Sequence, residues 1–596
     1  MFVNLLNKKK YLILINLVFI VLYSCNNGSN EDPSREINGG KAKYGGVLTI
    51  SEEENLKSLF PPIIVDAISA KIASQIHNGL VKFDARDLSI LPCIAKDWNI
   101  DDSQTEYTFY LRNNVFFHDD TCFEKGKGGK VTANDFKFTF ELLCSPGYEI
   151  SYSLIKDKIV GAEEFHVGQA DNISGISVEN DSTFKIKLKE PLSSFIYTLA
   201  MPNTSVISKE AYQAYGINMK VGAGPFVYTE PENELIELFL VYNENYFMND
   251  KDGNQLPYLD TVHFIFTPTK LAELELFRTN KLSILHGLPP SKIAEVFAEN
   301  KANFTNRPPK TFLRSDPELV TQFYEFNSQI APFNDIRVRK AFNYAINKKK
   351  LISNTLNKQG AVGSKGITPD VPLFKKYDFG RIKGYEYDPE LARELLAEAG
   401  YPNGKDFPNV RLELNLGGNT HLTVANEIQH QLNSVLNIWI EFEQVSFADK
   451  IEHSKYGKSE IFRSAWVADY PSPESFLSIF YGGGVPESME EPAFPNTMRY
   501  RNDRFDSLFI HGIKNTNESE RYELFAEAEK LMMEDAPVMI LWYQENSTLY
   551  NSKIRNFYYN SMEHLDFCEV YIKTLSEEEM DELESEWNDS GKAKVK

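Results

Sequence analysis

Alternating strands and amphipathic helices interleave along all 596 residues, with no repeat at a period of about 20–50 residues. Apolar residues make up 42% of the chain and aromatics 13%, enough for several large cores. Together these features predict an α/β protein of several domains rather than a solenoid.

The elements follow in order. Tyr44-Gly45-Gly46-Val47-Leu48-Thr49-Ile50 reads as a glycine turn feeding a strand. Ile72, Ala73, Ile76 and Leu80 recur at helical spacing over 70–80, with Gly79 closing the helix. Residues 107–111 alternate as a half-buried strand does. Thr132 then offers an N-cap, with Asp135 as its partner at N3 and Phe136, Phe140 and Leu143 along one face. Residues 181–188 form another alternating strand, stopped by Pro191. Val338, Ala341, Phe342 and Ala345 define a helix over 335–346, capped by Asn334 or Asp335. Asp388 and Pro389 open a further helix as N-cap and N1, and Gly400 ends it. Residues 423–435 and 518–533 read as two more helices. Beyond Thr574, Met580, Leu583 and Trp587 share one face amid Glu and Asp, as in a short acidic amphipathic helix or a disordered end.

The N-terminus reads as a targeting segment. Lys8, Lys9 and Lys10 precede an apolar run over 11–23, too short for an ordinary transmembrane helix. Ser24-Cys25 after that run resembles the lipobox of bacterial lipoproteins, which implies an exported protein with Cys25 lipidated. Residues 1–24 would then be the signal peptide and 25–40 a flexible tether rich in Asn, Ser and Gly. The formal charge of -21 argues against nucleic acid as a partner. Cys93, Cys122, Cys144 and Cys568 show no metal-ligand spacing, and their pairing is open.

Residues 463–473 read RSAWVADYPSP. This stretch sets a guanidinium (Arg463), an indole (Trp466), a carboxylate (Asp469) and a phenol (Tyr470) beside a proline-braced turn. Asp469 can take an ammonium, Arg463 a carboxylate, and Trp466 offers a flat apolar wall. Taken alone, the same residues also suit a strand that ends in a polar turn.

The wider chain supplies context. YGGVLTI (44–50), IHNGLVKFD (76–84), KVTANDFKFTFELL (130–143), VGAGPFVY (221–228), VYNENYF (241–247), YEFNSQIAPFNDIRVRKAFNYAINKKKL (324–351), YDPELARELLAEAGYPNGK (387–405) and PVMILWYQE (537–545) stand in that order. Together they resemble the large solute-binding proteins of bacterial ABC importers, and within these the oligopeptide-binding branch. The resemblance implies a two-lobed periplasmic-binding-protein-like clamp of class II type, with an extra inserted domain. Lobe 1 would comprise residues 41–77, 206–310 and 540–596, the inserted domain 78–205, and lobe 2 residues 311–539, with hinge crossings near 310 and 539.

The resemblance also implies roles. Asp469, in a Trp-x-x-Asp-Tyr turn, would hold a peptide's α-ammonium, with Trp466 and Tyr470 beside it. Arg463 would meet a ligand carboxylate. A second cation of peptide-binding members aligns with Ser454 here, next to Lys455, which leaves recognition of the C-terminal carboxylate open. Two ligand-contacting aromatics fall on Tyr152 (or Tyr148) and on Phe277, where a Tyr is expected. Val65, Asp66 and Ala67 match a segment that pairs with the peptide backbone as an added strand. A disulfide of some members maps onto Val467 and Val320. The implied partners are a short peptide and ABC permease subunits, with membrane contact through the lipid alone. The implied protein is a monomer, not an enzyme, with no cofactor.

Other chemistries find less support. There is no H-E-x-x-H, P-loop, dinucleotide fingerprint or nucleophile elbow. Gly482-Gly483-Gly484 precedes Val485-Pro486 and reads as a loop. His263, His286, His421, His430, His453 and His511 lack ligand spacing and read as surface or strand residues. Other cargoes of the same clamp (a nickel chelate, haem or an oligosaccharide) and a peptide-sensing lipoprotein uncoupled from transport are the alternatives.

Overall fold

The computed structural model describes residues 37, 42–303, 309–416 and 419–581. The signal peptide, Cys25 and the tether apart from residue 37 lie outside the described residues, as do Leu583 and Trp587.

One large mixed sheet runs through the molecule. In spatial order its strands are Phe226–Thr229, Glu237–Tyr242, Thr261–Phe266, Val47–Glu52, Ile284–His286, Val538–Asn551, Thr311–Phe326, Ile461–Val467, Arg411–Asn415 and Glu441–Val445, and the short strand Ala361–Val362 pairs with Val538–Asn551 off this path. Val47–Glu52 lies parallel to both of its neighbours. Its Leu48 and Ile50 are buried, as central parallel strands require.

Two long antiparallel strands, Thr311–Phe326 and Val538–Asn551, belong to both halves. Their first stretch pairs Thr311 with Asn551 through Pro317 with Glu545, beside Ile284–His286. Their second pairs Thr321 with Tyr543 through Glu325 with Val538, beside Ile461–Val467. Between Pro317 and Thr321 the register shifts.

A separate four-stranded sheet, ordered Ala95–Ile100, Glu106–Leu111, Thr183–Lys187 and Ile176–Asn180, lies in the segment between 78 and 205. Helix Ala133–Leu143 covers it, with Phe136 and Phe140 each 5.7 Å from the Phe184 ring. The Asp135 carboxylate accepts from the Thr132 backbone N–H at 2.7 Å and its hydroxyl at 2.8 Å, fixing the helix start. This core is continuous with Tyr246, Phe247, Leu256, Tyr258 and Tyr571 of the first half, whereas residues 319–543 build two cores of their own. The inserted sheet therefore travels with the first half of the molecule. A two-lobed α/β clamp with an added domain is the architecture.

Local expectations differ from the structure in places. The helix placed over 70–80 runs from Ala67 to Ile76. It starts earlier because Asp66 caps it, and it stops because His77 turns extended. Gly79 serves a close approach instead, since a Cβ there would stand 2.9 Å from the Leu199 carbonyl oxygen. The helix at 335–346 spans Ile336–Tyr344 with Asp335 as its cap, and that at 423–435 extends over Asn419–Leu436. Residues 482–484 make a single 3-10 turn. Cys93, Cys122, Cys144 and Cys568 are all free thiols.

Val320 and Val467 stand directly opposite each other in the pairing of their strands. A Val320→Cys/Val467→Cys protein is therefore expected to oxidise to a cross-strand disulfide. Thiol titration in denaturant should find no more free thiols than in the parent. Stability should rise by up to about 2–4 kcal/mol in non-reducing thermal melts. Two additional titratable thiols would show the register to be wrong.

Candidate functional site

The 463–473 stretch is built on strand Ile461–Val467 and the turn that follows. Trp466 stands opposite Thr321 and Arg463 opposite Tyr324. Past the strand, the Ala468 N–H donates to the Leu319 carbonyl at 2.9 Å, inside the register shift of the crossing strand. Ser475 holds the turn from behind: its hydroxyl oxygen accepts from the Asp469 N–H at 2.9 Å and from Trp466 Nε1 at 3.4 Å. Ser472 caps the short helix Pro473–Leu477 that carries Ser475.

This anchoring leaves the Asp469 side chain free. Among the described residues no hydrogen bond or ion pair is made by its carboxylate, and the residue is exposed. Protein on its flanks still removes enough water to raise the carboxyl above the usual range, while Lys158 of the inserted domain pulls the other way. Asp469 is thus a partly desolvated carboxylate open to a cation.

Tyr470 and Glu474 close the gap to the inserted domain. Glu474 Oε1 accepts from the Tyr470 hydroxyl and from the Ser194 hydroxyl, each at 2.8 Å. The Tyr470 ring stacks on Tyr197 at 5.8 Å, the Ser193 N–H donates to the Ile513 carbonyl at 3.0 Å, and Lys514 pairs with Glu190 at 2.6 Å. Glu474 is 5% exposed, and its second oxygen has no partner among the described residues. Burial raises its carboxyl, and the Ser194 and Tyr470 hydroxyls partly offset this. Sequence reasoning missed Glu474, because its partner Ser194 lies 280 residues away in the chain.

At the other end of the strand, the Arg463 guanidinium donates to Gln322 Oε1 at 2.6 Å and Asn415 Oδ1 at 3.4 Å. No carboxylate pairs with it among the described residues, and burial lowers its pKa. Lys450 Nζ donates to the Arg463 carbonyl at 2.9 Å and is 3% exposed. Lys450 lies one helical turn before Ser454, on the same face of helix Phe447–Lys455. The neighbour considered from sequence, Lys455, is occupied by Glu452 at 3.3 Å. Arg463 and Asp469 are at most about 20 Å apart along an extended chain. One strand thus separates a cationic end from an anionic end.

The remaining candidates are placed as follows. Tyr152 is buried in the inserted domain, its ring 3.8 Å from that of His166, and the Tyr148 hydroxyl is shared with Tyr212 at 2.8 Å. Phe277 packs with Leu274, Leu282 and Leu285 in a core of the first lobe. Both rings therefore belong to packed interiors in this conformation. Asp66 caps its helix, accepting from the Ser69 N–H at 2.8 Å. Val65 is 61% exposed, and among the described residues its backbone N–H and C=O make no hydrogen bond. Ala67 is exposed beside it. A cavity of about 910 Å³ between residues 56–59, 118–120 and 215–235 is lined by none of these groups.

Two lobes on shared crossing strands, with the open Asp469 carboxylate near Lys158 of the inserted domain, have the architecture of a solute-binding clamp. Comparison with known proteins gives the same class: the profile of the bacterial extracellular solute-binding proteins, family 5, matches residues 89–487. The chain belongs to that family. It is 27% identical over 553 residues to heme-binding protein A of Haemophilus influenzae, covering 89% of this chain and 93% of that one. It is 26% identical over 545 residues to the periplasmic oligopeptide-binding protein OppA of Salmonella typhimurium, covering 89% and 92%. Among solved structures, a periplasmic oligopeptide-binding protein of Borrelia burgdorferi matches with a TM-score of 0.65 at 26% identity, covering 88% and 99%. The DppA protein of Helicobacter pylori with the peptide STSA has the same fold, with a TM-score of 0.68 at 24% identity, covering 89% and 99%.

Ser194→Ala removes a hydroxyl that bonds a buried carboxylate across the lobes. It should weaken the closed form by about 1.5–3 kcal/mol. Small-angle scattering of the ligand-free protein should show a larger radius of gyration than the parent, with circular dichroism unchanged. An unchanged radius would mean that this bond does not hold the lobes.

Proposed function

We propose that this protein is an extracytoplasmic receptor that captures short peptides between its lobes and delivers them to an ABC importer. The observation that carries the reading is the Asp469 carboxylate, held by its backbone, open and without a cation of its own. An α-ammonium supplies that cation. Trp466 walls the same end, and the free backbone of Val65 offers one main-chain pairing site to an extended peptide. Main-chain pairing gives affinity without reading side chains, which suits a receptor for many sequences. Arg463, with Lys450 behind it, supplies positive charge for an acidic side chain or a terminal carboxylate. The names of the oligopeptide-binding relatives support the same reading.

The receptor is exported as a monomer and tethered through a lipid on Cys25, which is its single contact with the membrane. No helix among the described residues is long and apolar enough to cross one. It binds without catalysing a reaction, and permease subunits recognise its closed form.

A second reading is haem, favoured by the Haemophilus influenzae relative. The Asp469 end of the cleft would repel haem propionates. Adding haemin and following its Soret band separates the two cargoes.

Asp469→Ala should reduce affinity for a free-amino peptide by roughly 2–5 kcal/mol in calorimetry, through loss of the charge that meets the ammonium. Equal affinity in variant and parent would remove the assignment. The pH dependence has a definite sign. The free carboxyl titrates above the usual Asp range, and only its ionised form attracts the ammonium. Affinity should fall as pH drops through that raised value, beginning at a higher pH than an ordinary Asp near ~3.9 would give. An Asp469→Asn protein should lack this acidic limb.

A further inference from the structure

Three side chains from distant parts of the chain converge where the lobes join. His286 ends strand Ile284–His286, Glu318 sits in the register shift of the crossing strand, and Glu563 stands in the C-terminal segment. His286 Nε2 is 3.4 Å from Glu563 Oε1 and 3.9 Å from Glu318 Oε1. One ligand atom of each residue lies within 4.8 Å of the other two. Ligands at about 2.0–2.1 Å from a tetrahedral ion are about 3.3 Å from one another, so small side-chain shifts would bring all three into a first coordination sphere.

The surroundings prepare these groups for a cation. Thr548 Oγ1 lies 3.1 Å from His286 Nδ1, and this bond orients the ring with Nε2 toward the two carboxylates. The Tyr559 hydroxyl is 2.7 Å from Nε2 and 3.3 Å from Glu318 Oε1, and the Asn546 amide also meets Glu318. Glu318 is 5% exposed. The nearby ammonium, Lys71, is 3.9 Å from Glu563 Oε2 but 2.6 Å from Glu52, which holds it more tightly. Lys71 therefore meets Glu52 and Glu563, and no lysine or arginine pairs with Glu318 among the described residues. A divalent cation would balance Glu52, Glu318 and Glu563 against Lys71.

We propose that His286, Glu318 and Glu563 bind one divalent transition-metal ion of the zinc class at the junction of the lobes. One imidazole with two carboxylates suits such an ion better than magnesium or calcium, which prefer all-oxygen shells. The site is independent of the peptide reading but lies close to it: Glu318 adjoins Leu319, whose carbonyl holds the turn leading to Asp469. An ion there would pin the crossing strand, the first lobe and the C-terminal segment to one another. The ligands are spread over nearly half the chain, which is why sequence spacing reads His286 as an ordinary strand residue.

The test is zinc titration of the full exported chain, free of any histidine tag and stripped by chelator. Calorimetry should find one ion per chain, and zinc should raise Tm. Glu563→Gln and His286→Gln keep size and hydrogen bonding, and each should weaken zinc at least tenfold. Cobalt supplies a second readout: the visible bands of a tetrahedral nitrogen–oxygen site, without thiolate charge transfer. A thiolate band would move the ion to a cysteine such as Cys122 and overturn the proposal. Absence of stoichiometric uptake, or uptake indifferent to both substitutions, would overturn it as well.

Discussion

Two free backbone groups at one residue organise the centre of this molecule. The register shift between Pro317 and Thr321 takes Leu319 out of the pairing of the crossing strands. A buried backbone group left unpaired costs about 1–3 kcal/mol, so both groups of Leu319 must find partners. Its N–H donates to the Ser561 carbonyl at 2.7 Å, and its carbonyl accepts from the Ala468 N–H at 2.9 Å. The first bond draws the C-terminal segment, with Tyr559 and Glu563, onto the junction. The second sets the turn that presents Asp469. Both candidate sites thus depend on one irregularity in one strand.

The polar groups of the cleft divide into two kinds. Those that join the inserted domain to the second lobe are bonded to one another: Ser194 and Tyr470 supply hydroxyls to Glu474 Oε1, and Lys514 meets Glu190. Those at the ends of the 463–469 stretch are not. Among the described residues Asp469 has no cation in contact, and Arg463 has neutral oxygens where a carboxylate could sit. Structural ion pairs seldom leave both signs uncompensated within one strand, because burial penalises each charge. Separated complementary vacancies are better explained by a ligand that carries both charges.

Much of the fold was legible because its signals are local. The Thr132–Asp135 cap, the Asp388-Pro389 start and the alternation at 107–111 depend on neighbouring residues, and all three appear, the strand one residue longer at its start. Helix ends were less legible, since Asp66 and His77 set the ends of one helix where apolar spacing suggested later ones. Of the candidate site, the contiguous stretch 463–473 is what sequence alone can single out. The site was illegible where tertiary contact creates it. Glu474 matters because Ser194 approaches from another domain. Lys450 matters because it stands one turn from Ser454 on a helix face. Phe277 looks the same in sequence whether it walls a cleft or fills a core, and here it packs against Leu274 and Leu285.

The contrast between satisfied and unsatisfied groups also bears on how closure is coupled to binding. Bringing the lobes together makes the Ser194–Glu474 bond and the Tyr197–Tyr470 stack whether or not ligand is present. Asp469 and Arg463 are partly desolvated, and neither has an ionic partner in contact among the described residues. The ligand-free equilibrium is therefore a balance between contacts that favour closing and charges that oppose it. A zwitterionic ligand removes the opposing part alone. Its differential affinity for the closed form is the desolvation it cancels, and a shift from mostly open to mostly closed needs about 5.5 kcal/mol of such difference. Two charge pairs at roughly 2–5 kcal/mol each give about 4–10 kcal/mol, a range that brackets this requirement. A ligand with one charge would leave the other end uncompensated and close the clamp less completely, so the unpaired ends select for a molecule that spans both.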